Sequence, residues 1–381
     1  MKTKFIILFL FISGLFSKCV EPFEHDIQDY QDILVVEGYI TSEPGPYTIN
    51  LSRTVPVNSD KIKKEQEALV RISDNYGNSE ILTETSPGVY ETSETGIQGV
   101  VGRDYTLHIN TADGKKYESD PVTLNPVPEI DSLYLTYKES FSFEEGKMID
   151  GIDINIDTKE WSAEKDYYLK WDYEETWKIY PKWPSDTFGF EPCWNIDYND
   201  DVLIEKSSDF TSNKLTQYPV IHFTEKDYEP FVGYSALIYQ YSINKSSFKF
   251  WKMVRESSLE NGSIFDNVPY NPQSNIYSCD GEEEKVFGYF DAMSVDKKRI
   301  YFKSPVLGVE FTYYYDYCDC ELQIMSKPAF YESGHYGEAF IVWEDPGMCP
   351  LMNVAYTYKQ MCIDCSVFST TDEKPSFWEY D

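Results

Sequence analysis

Ile33-Leu34-Val35-Val36-Glu37-Gly38-Tyr39-Ile40, a Pro44-Gly45-Pro46 turn, and then Tyr47-Thr48-Ile49-Asn50-Leu51-Ser52-Arg53 together decide the fold class of this chain. Both runs are rich in β-branched and aromatic residues, and Tyr47, Ile49 and Leu51 alternate, so strand, turn and strand are expected. The rhythm continues. Ala68, Val70 and Ile72 alternate, and Asp74-Asn75-Tyr76-Gly77-Asn78 follows with residues that tolerate left-handed backbone. Gly88-Val89-Tyr90, Tyr105–Ile109 and an Asp113-Gly114 hairpin signal complete it. Short strands at this spacing predict a sandwich of immunoglobulin-like or pre-albumin-like type over residues 33–125. Pro121, Pro126 and Pro128 mark its end.

Residues 126–381 read as a larger, aromatic, β-rich domain with one main helix, so the whole chain is expected to be mainly β. Ile152–Ile156 and Tyr167–Tyr173 are strand candidates, as are Val286–Phe290, Arg299–Phe302, Val309–Tyr315 and Phe340–Trp343. Residues 175–235, aromatic and polar with scattered proline, suggest long loops and irregular strands. Phe248, Trp251, Val254 and Leu259 form an approximate helical stripe over Lys245–Leu259, with Ser246 as a capping residue.

Ahead of the first strand, Lys2 and Lys4 precede an apolar run from Phe5 to Phe16 that leads into Phe-Ser-Lys-Cys at 16–19. That run is short of the roughly 20 residues a membrane-crossing helix needs. It reads as a secretory signal over residues 1–18, with Cys19 as the lipidated first residue of the mature chain. An ordinary cleaved signal leaving Cys19 a plain thiol is the alternative. Acidic residues 20–32 read as a tether. No later stretch approaches the length of a transmembrane helix. The formal net charge is −32, and losing Lys2, Lys4 and Lys18 makes the mature chain more acidic still. Such a surface repels nucleic acid and anionic head groups. It leaves divalent cations or basic protein patches as charge partners, or simple solvation.

Cys193, Cys279, Cys318, Cys320, Cys349, Cys362 and Cys365 follow Cys19. In an exported chain thiols pair as structural disulfides, and an odd number leaves at least one over. Spacing alone does not choose the pairs. Cys362-Ile363-Asp364-Cys365 lacks the following helical period that a redox pair needs. The five C-terminal thiols also fit a zinc knuckle poorly, because one pair is Cys-x-Cys. His25, His108, His222 and His335 lie in no catalytic or metal motif, and no phosphate-cradling or dinucleotide loop occurs. No cofactor is expected. Asp74, Asp197, Asp200 and Asp201 offer hard oxygens, but without calcium-loop spacing they read as solvated. Trp161, Trp177, Trp183 and Trp194 would stack on sugars if exposed, and pack a core otherwise.

Several of these segments together resemble a known family. Cys19-Val20-Glu21-Pro22-Phe23, Leu34–Ile40 and Gly45-Pro46-Tyr47 are similar to the opening of the Bacteroidota lipoproteins catalogued as domain of unknown function 4249. Gly262-Ser263-Ile264-Phe265-Asp266, Val286-Phe287-Gly288-Tyr289-Phe290 and the closing Cys362–Cys365 with Lys374-Pro375-Ser376-Phe377-Trp378 add to it. Lys18 before the anchor cysteine, and Ser366-Val367-Phe368 in place of glycines, depart from the pattern. The resemblance implies an outer-membrane lipoprotein, anchored through acyl chains on Cys19 and often encoded beside a TonB-dependent receptor. It implies no established activity. The expectation is therefore a non-enzymatic accessory protein on the cell surface, or on the periplasmic face, assisting nutrient capture. A cell-envelope hydrolase and a purely structural or adhesive module are the alternatives.

Overall fold

The computed structural model describes residues 32–56, 62–162, 165–183, 191–210, 212–261, 274–281, 284–313, 320–332, 340–344, 353–357 and 359–378. Leu34–Thr41 pairs antiparallel with Thr48–Arg53, Val36 opposite Leu51 and Gly38 opposite Ile49. Alternation turns Leu34, Val36, Ile40, Ile49 and Leu51 inward, all of them fully buried. Val89–Glu91 and Thr83–Ser86 extend this sheet. A second sheet faces it, built on Leu69–Asp74, Asp104–Asn110 and Lys116–Ser119. Val70, Ile72, Leu107 and Ile109 from that sheet meet Leu34, Val36 and Ile49 in one core. This is the expected sandwich, and Asp74 closes its turn by accepting from Tyr76 N at 3.0 Å and Asn78 N at 2.8 Å.

Residues beyond 125 complete it. Val286–Phe302 is one continuous strand of 17 residues. Its first half runs parallel to Leu34–Thr41, with Leu34 beside Val286 and Thr41 beside Met293. Its second half runs antiparallel to Tyr234–Ile243, from Ser294 opposite Ser242 to Phe302 opposite Tyr234. Ile276–Ser278 also joins the facing sheet, along Lys116–Ser119. The division expected at 125/126 therefore does not separate two self-contained sets of strands. The proline-marked linker is pinned to the long strand as well: Ile130 N donates to Asp296 Oδ2 at 2.6 Å, and Ser294 donates to the Asn125 carbonyl. Two strands were expected where one exists because Asp291, Ser294 and Asp296 interrupt the apolar pattern. Each finds a partner, so the strand continues.

The long strand carries a ten-stranded sheet from the first sandwich into the second. There Tyr168–Ile179, Cys193–Tyr198 and Leu203–Lys206 join Tyr234–Ile243. Ile130–Tyr137, Gly151–Thr158 and Tyr218–Thr224 form a three-stranded sheet over its inner face. Ile152, Ile154, Ile156, Trp171, Ile238 and Phe223 fill the space between. Residues 175–235 are thus more regular than expected, because their polar side chains find partners: Asn199 Oδ1 accepts from Tyr173 N at 2.6 Å and Glu205 Oε1 from the Tyr218 hydroxyl at 3.3 Å. The helix Lys245–Asn261 covers the outer face, where Phe248 packs with Tyr241 and Met293 and Phe250 with Tyr289. Val309, expected to open a strand, makes only an isolated bridge to Val306.

Candidate functional site

On the outer face, at the junction of the two sandwiches, strand alternation gathers Tyr39, Lys170, Asp172, Tyr239, Tyr241 and Asp291 beside Trp251 of the helix. Tyr39 and Asp291 are register neighbours across the parallel pair. Asp172 and Tyr239 face each other across the antiparallel one. The tyrosine rings form a row, Tyr39 to Tyr241 and Tyr241 to Tyr239 each 6.3 Å between centroids, the second pair nearly parallel at 10°. Lys170 Nζ lies over the Tyr241 ring at 5.6 Å and the Trp251 ring at 5.2 Å, and bonds Asp172. Lys170 is 9% exposed while Tyr39 is 43% exposed, so the row opens to solvent at Tyr39.

Asp291 is the deepest member. Ser247 Oγ donates to its Oδ2, and Trp251 Nε1 does so at 3.3 Å, while Oδ1 has no partner among the described residues. Burial pushes its carboxyl up to about 6, against the opposing pull of these two donors and Lys170. Burial likewise raises the Tyr241 and Tyr39 hydroxyls, helped by the Asp172 charge. A second raised acid is Glu175, pushed to about 7 by burial, with Glu229, Asp197 and Asp227 adding to it and the Tyr234 hydroxyl opposing. Glu175 shares the inner face with Tyr234, whereas Asp291 lies on the outer face under the helix. No single substrate meets both carboxyls. The outer row offers stacking faces, a shielded cation and carboxylate acceptors, which is the chemistry of recognising a polar or hydroxylated ligand.

The cysteines sort clearly. Cys193 bonds Cys365 and Cys320 bonds Cys362, while Cys279 is free and exposed. Cys19, Cys318 and Cys349 lie outside the described residues. Among the described residues no group of three or more metal-ligating side chains occurs. The Asp74 carboxylate is filled by backbone donors and by Arg103 Nη1 at 2.7 Å. Trp161, Trp177 and Trp194 are buried, and Trp183 packs against Ile363, so none is free to stack on a sugar. The residues that form the outer row were not singled out in the sequence. Their one signal is that Tyr39, Lys170 and Asp291 are the polar or aromatic members of alternating strands, and alternation alone does not tell which strands become neighbours.

Residues 20–299 match the model of one family, described as a domain of unknown function (DUF4249). The chain belongs to this family. Comparison with curated proteins gave no match. The DUF4249 match ends inside the strand Val286–Phe302, so it takes in the first sandwich, the segment that completes it and every member of the outer row. Cys193 lies inside the matched span, while its partner Cys365 and the Cys320–Cys362 pair lie beyond it.

Proposed function

We propose that this DUF4249 protein is a lipid-anchored accessory protein of the outer membrane that holds a partner or nutrient beside a TonB-dependent transporter, on the cell surface. Acyl chains on Cys19 supply the anchor. Residues 20–32 supply reach, up to roughly 45 Å when extended. One observation carries the reading: the strand Val286–Phe302 fuses two sandwiches into one platform, and the outer face of that platform presents the tyrosine row. A stiff scaffold with a packed aromatic row that opens to solvent at Tyr39 suits binding by preorganisation. The opposed placement of Glu175 and Asp291 gives no support to the hydrolase alternative.

The test is purification of the tagged protein from detergent-solubilised outer membranes, with identification of what accompanies it. A TonB-dependent receptor at comparable yield is expected. The protein recovered alone at stoichiometric yield counts against the transporter role. Cys19→Ala is expected to release the chain from membrane pellets, and unchanged sedimentation defeats the anchor.

A further inference from the structure

The sequence Ser140-Phe141-Ser142-Phe143 runs into a turn at Gly146 and returns as Lys147-Met148-Ile149. Among the described residues the two strands pair only with each other, Phe141 opposite Met148 and Ser140 opposite Ile149. Residues directly opposite share a face, and alternate residues share it too. Phe141 and Met148 therefore lie on one face, and Ser140, Ser142, Lys147 and Ile149 on the other, while Phe143 opens the turn with its ring against Phe141. In an ordinary half-buried hairpin the apolar face turns inward. This one is inverted. Phe143 is 92% exposed, Phe141 52% and Met148 51%, while Ile149 on the serine face is buried.

The inversion is held in place. Ser140 Oγ lies 2.8 Å from His222 Nε2, and Lys138 N donates to the Gly151 carbonyl at 2.9 Å. Lys226, from the neighbouring turn, reaches Glu144 at 3.2 Å and Glu145 at 2.9 Å. The two phenyl rings pack edge to face at 5.2 Å and 86°. An isolated two-stranded ribbon is marginal in water, so these ties keep an apolar knob preformed in solvent.

We propose that this ribbon is a protein-docking surface, whose partner offers an apolar slot rimmed by Lys or Arg side chains. The partner's chemistry follows from charge. Glu139, Glu144, Glu145, Asp150 and Glu225 along the ribbon and the neighbouring turn outnumber Lys138, Lys147 and Lys226, on a molecule of net charge −32. A second copy brings the same sign, and a phosphate-bearing lipid surface is repelled, whereas a basic rim is attracted. The proposal rests on the reading of this protein as a binding module and names the contact that such a module would use.

The experiment places a photo-crosslinking amino acid at Phe143 in the full chain, irradiated in intact cells. The same probe at Tyr76, 73% exposed in the first sandwich, is the control. One protein adduct is expected from position 143 and none from position 76, with the crosslinked peptide carrying Lys or Arg beside apolar residues. Adding Phe141→Ser is expected to lower the yield at least tenfold. Irradiating membranes in about 1 M salt, where the screening length falls to roughly 3 Å, is expected to do the same. A lipid adduct, an adduct with a second copy, equal yields from both positions, no adduct, or indifference to salt each overturns the proposal. Fractionation of Cys19→Ala reads the anchor separately, so loss of one reading is distinguishable from loss of the other.

Discussion

Asp291 shows how one side chain records its surroundings. Its ordinary value of 3.8 rises to about 6 because burial disfavours the charged form. The folded state therefore binds more protons than the unfolded chain between these values. The group's favourable contribution is complete below about pH 4 and is lost as pH rises through about 6. The difference is on the order of 3 kcal/mol. Asp291→Asn is expected to match the parent in stability at pH 4 and to exceed it by about that amount near pH 7.5, read by urea denaturation. A gap that does not change with pH disproves this account. Gly288 is a second such position, at φ +100° and with the Val36 carbonyl oxygen 1.8 Å from where a Cβ would sit. Gly288→Ala is expected to cost more than about 3 kcal/mol, from backbone strain together with the clash. Stability within 1 kcal/mol of the parent would remove that explanation. Gly288 was visible in the sequence as part of a family-like motif. Its reason was not, because the oxygen that forbids a side chain belongs to a strand far away in the chain.

Among elements, the disulfides and the closing segment make one clasp. Trp194 N donates to the Thr371 carbonyl at 2.8 Å and Thr371 N returns the bond at 3.1 Å, covering the start of the edge strand Cys193–Tyr198. Trp378 packs edge-on against Trp194 and Tyr301, and Arg299 lies 3.6 Å over the Phe377 ring. Cys193–Cys365 closes a sequence separation of 172, and Cys320–Cys362 one of 42. Removing the first pair by Cys193→Ser with Cys365→Ser is expected to cost about 2–5 kcal/mol. Removing the second is expected to cost roughly 1 kcal/mol less on loop length alone. Chemical denaturation of the two double variants checks the order, which fails if the short loop proves the costlier. Strands with uninterrupted alternation, such as Thr48–Arg53, were legible in the sequence. The long strand was read as two pieces and residues 175–235 as long loops and irregular strands, since Asp291, Ser294, Asn199 and Glu205 look like breaks until their partners are known. The outer row was illegible for a related reason: Tyr39, Lys170, Tyr241 and Asp291 share no spacing motif and meet only through the sheet order.

At the scale of the molecule, the shared strand decides cooperativity. Gly102 N donates to the Leu124 carbonyl at 2.8 Å on the first sandwich, while Asn125 Nδ2 donates to Asn244 Oδ1 and Gln240 Nε2 to the Pro128 carbonyl, each at 2.6 Å, on the second, so the segment joining the sandwiches is stitched to both. One calorimetric transition is expected, with calorimetric and van't Hoff enthalpies in agreement. Two resolved peaks would show the sandwiches melting independently. The proline-marked composition around residues 121–128 pointed to a boundary, and composition reports turns without reporting what binds them. The pairing of Leu34 with Val286 has a further consequence. A nascent chain emerges amino terminus first, from a ribosome or through a translocation pore. Its first sandwich must wait, one flank bare, until the segment at 286–293 arrives to close it. Until then the Leu34–Thr41 edge is a sticky template for wrong pairings, and a holding chaperone is what such a delay calls for.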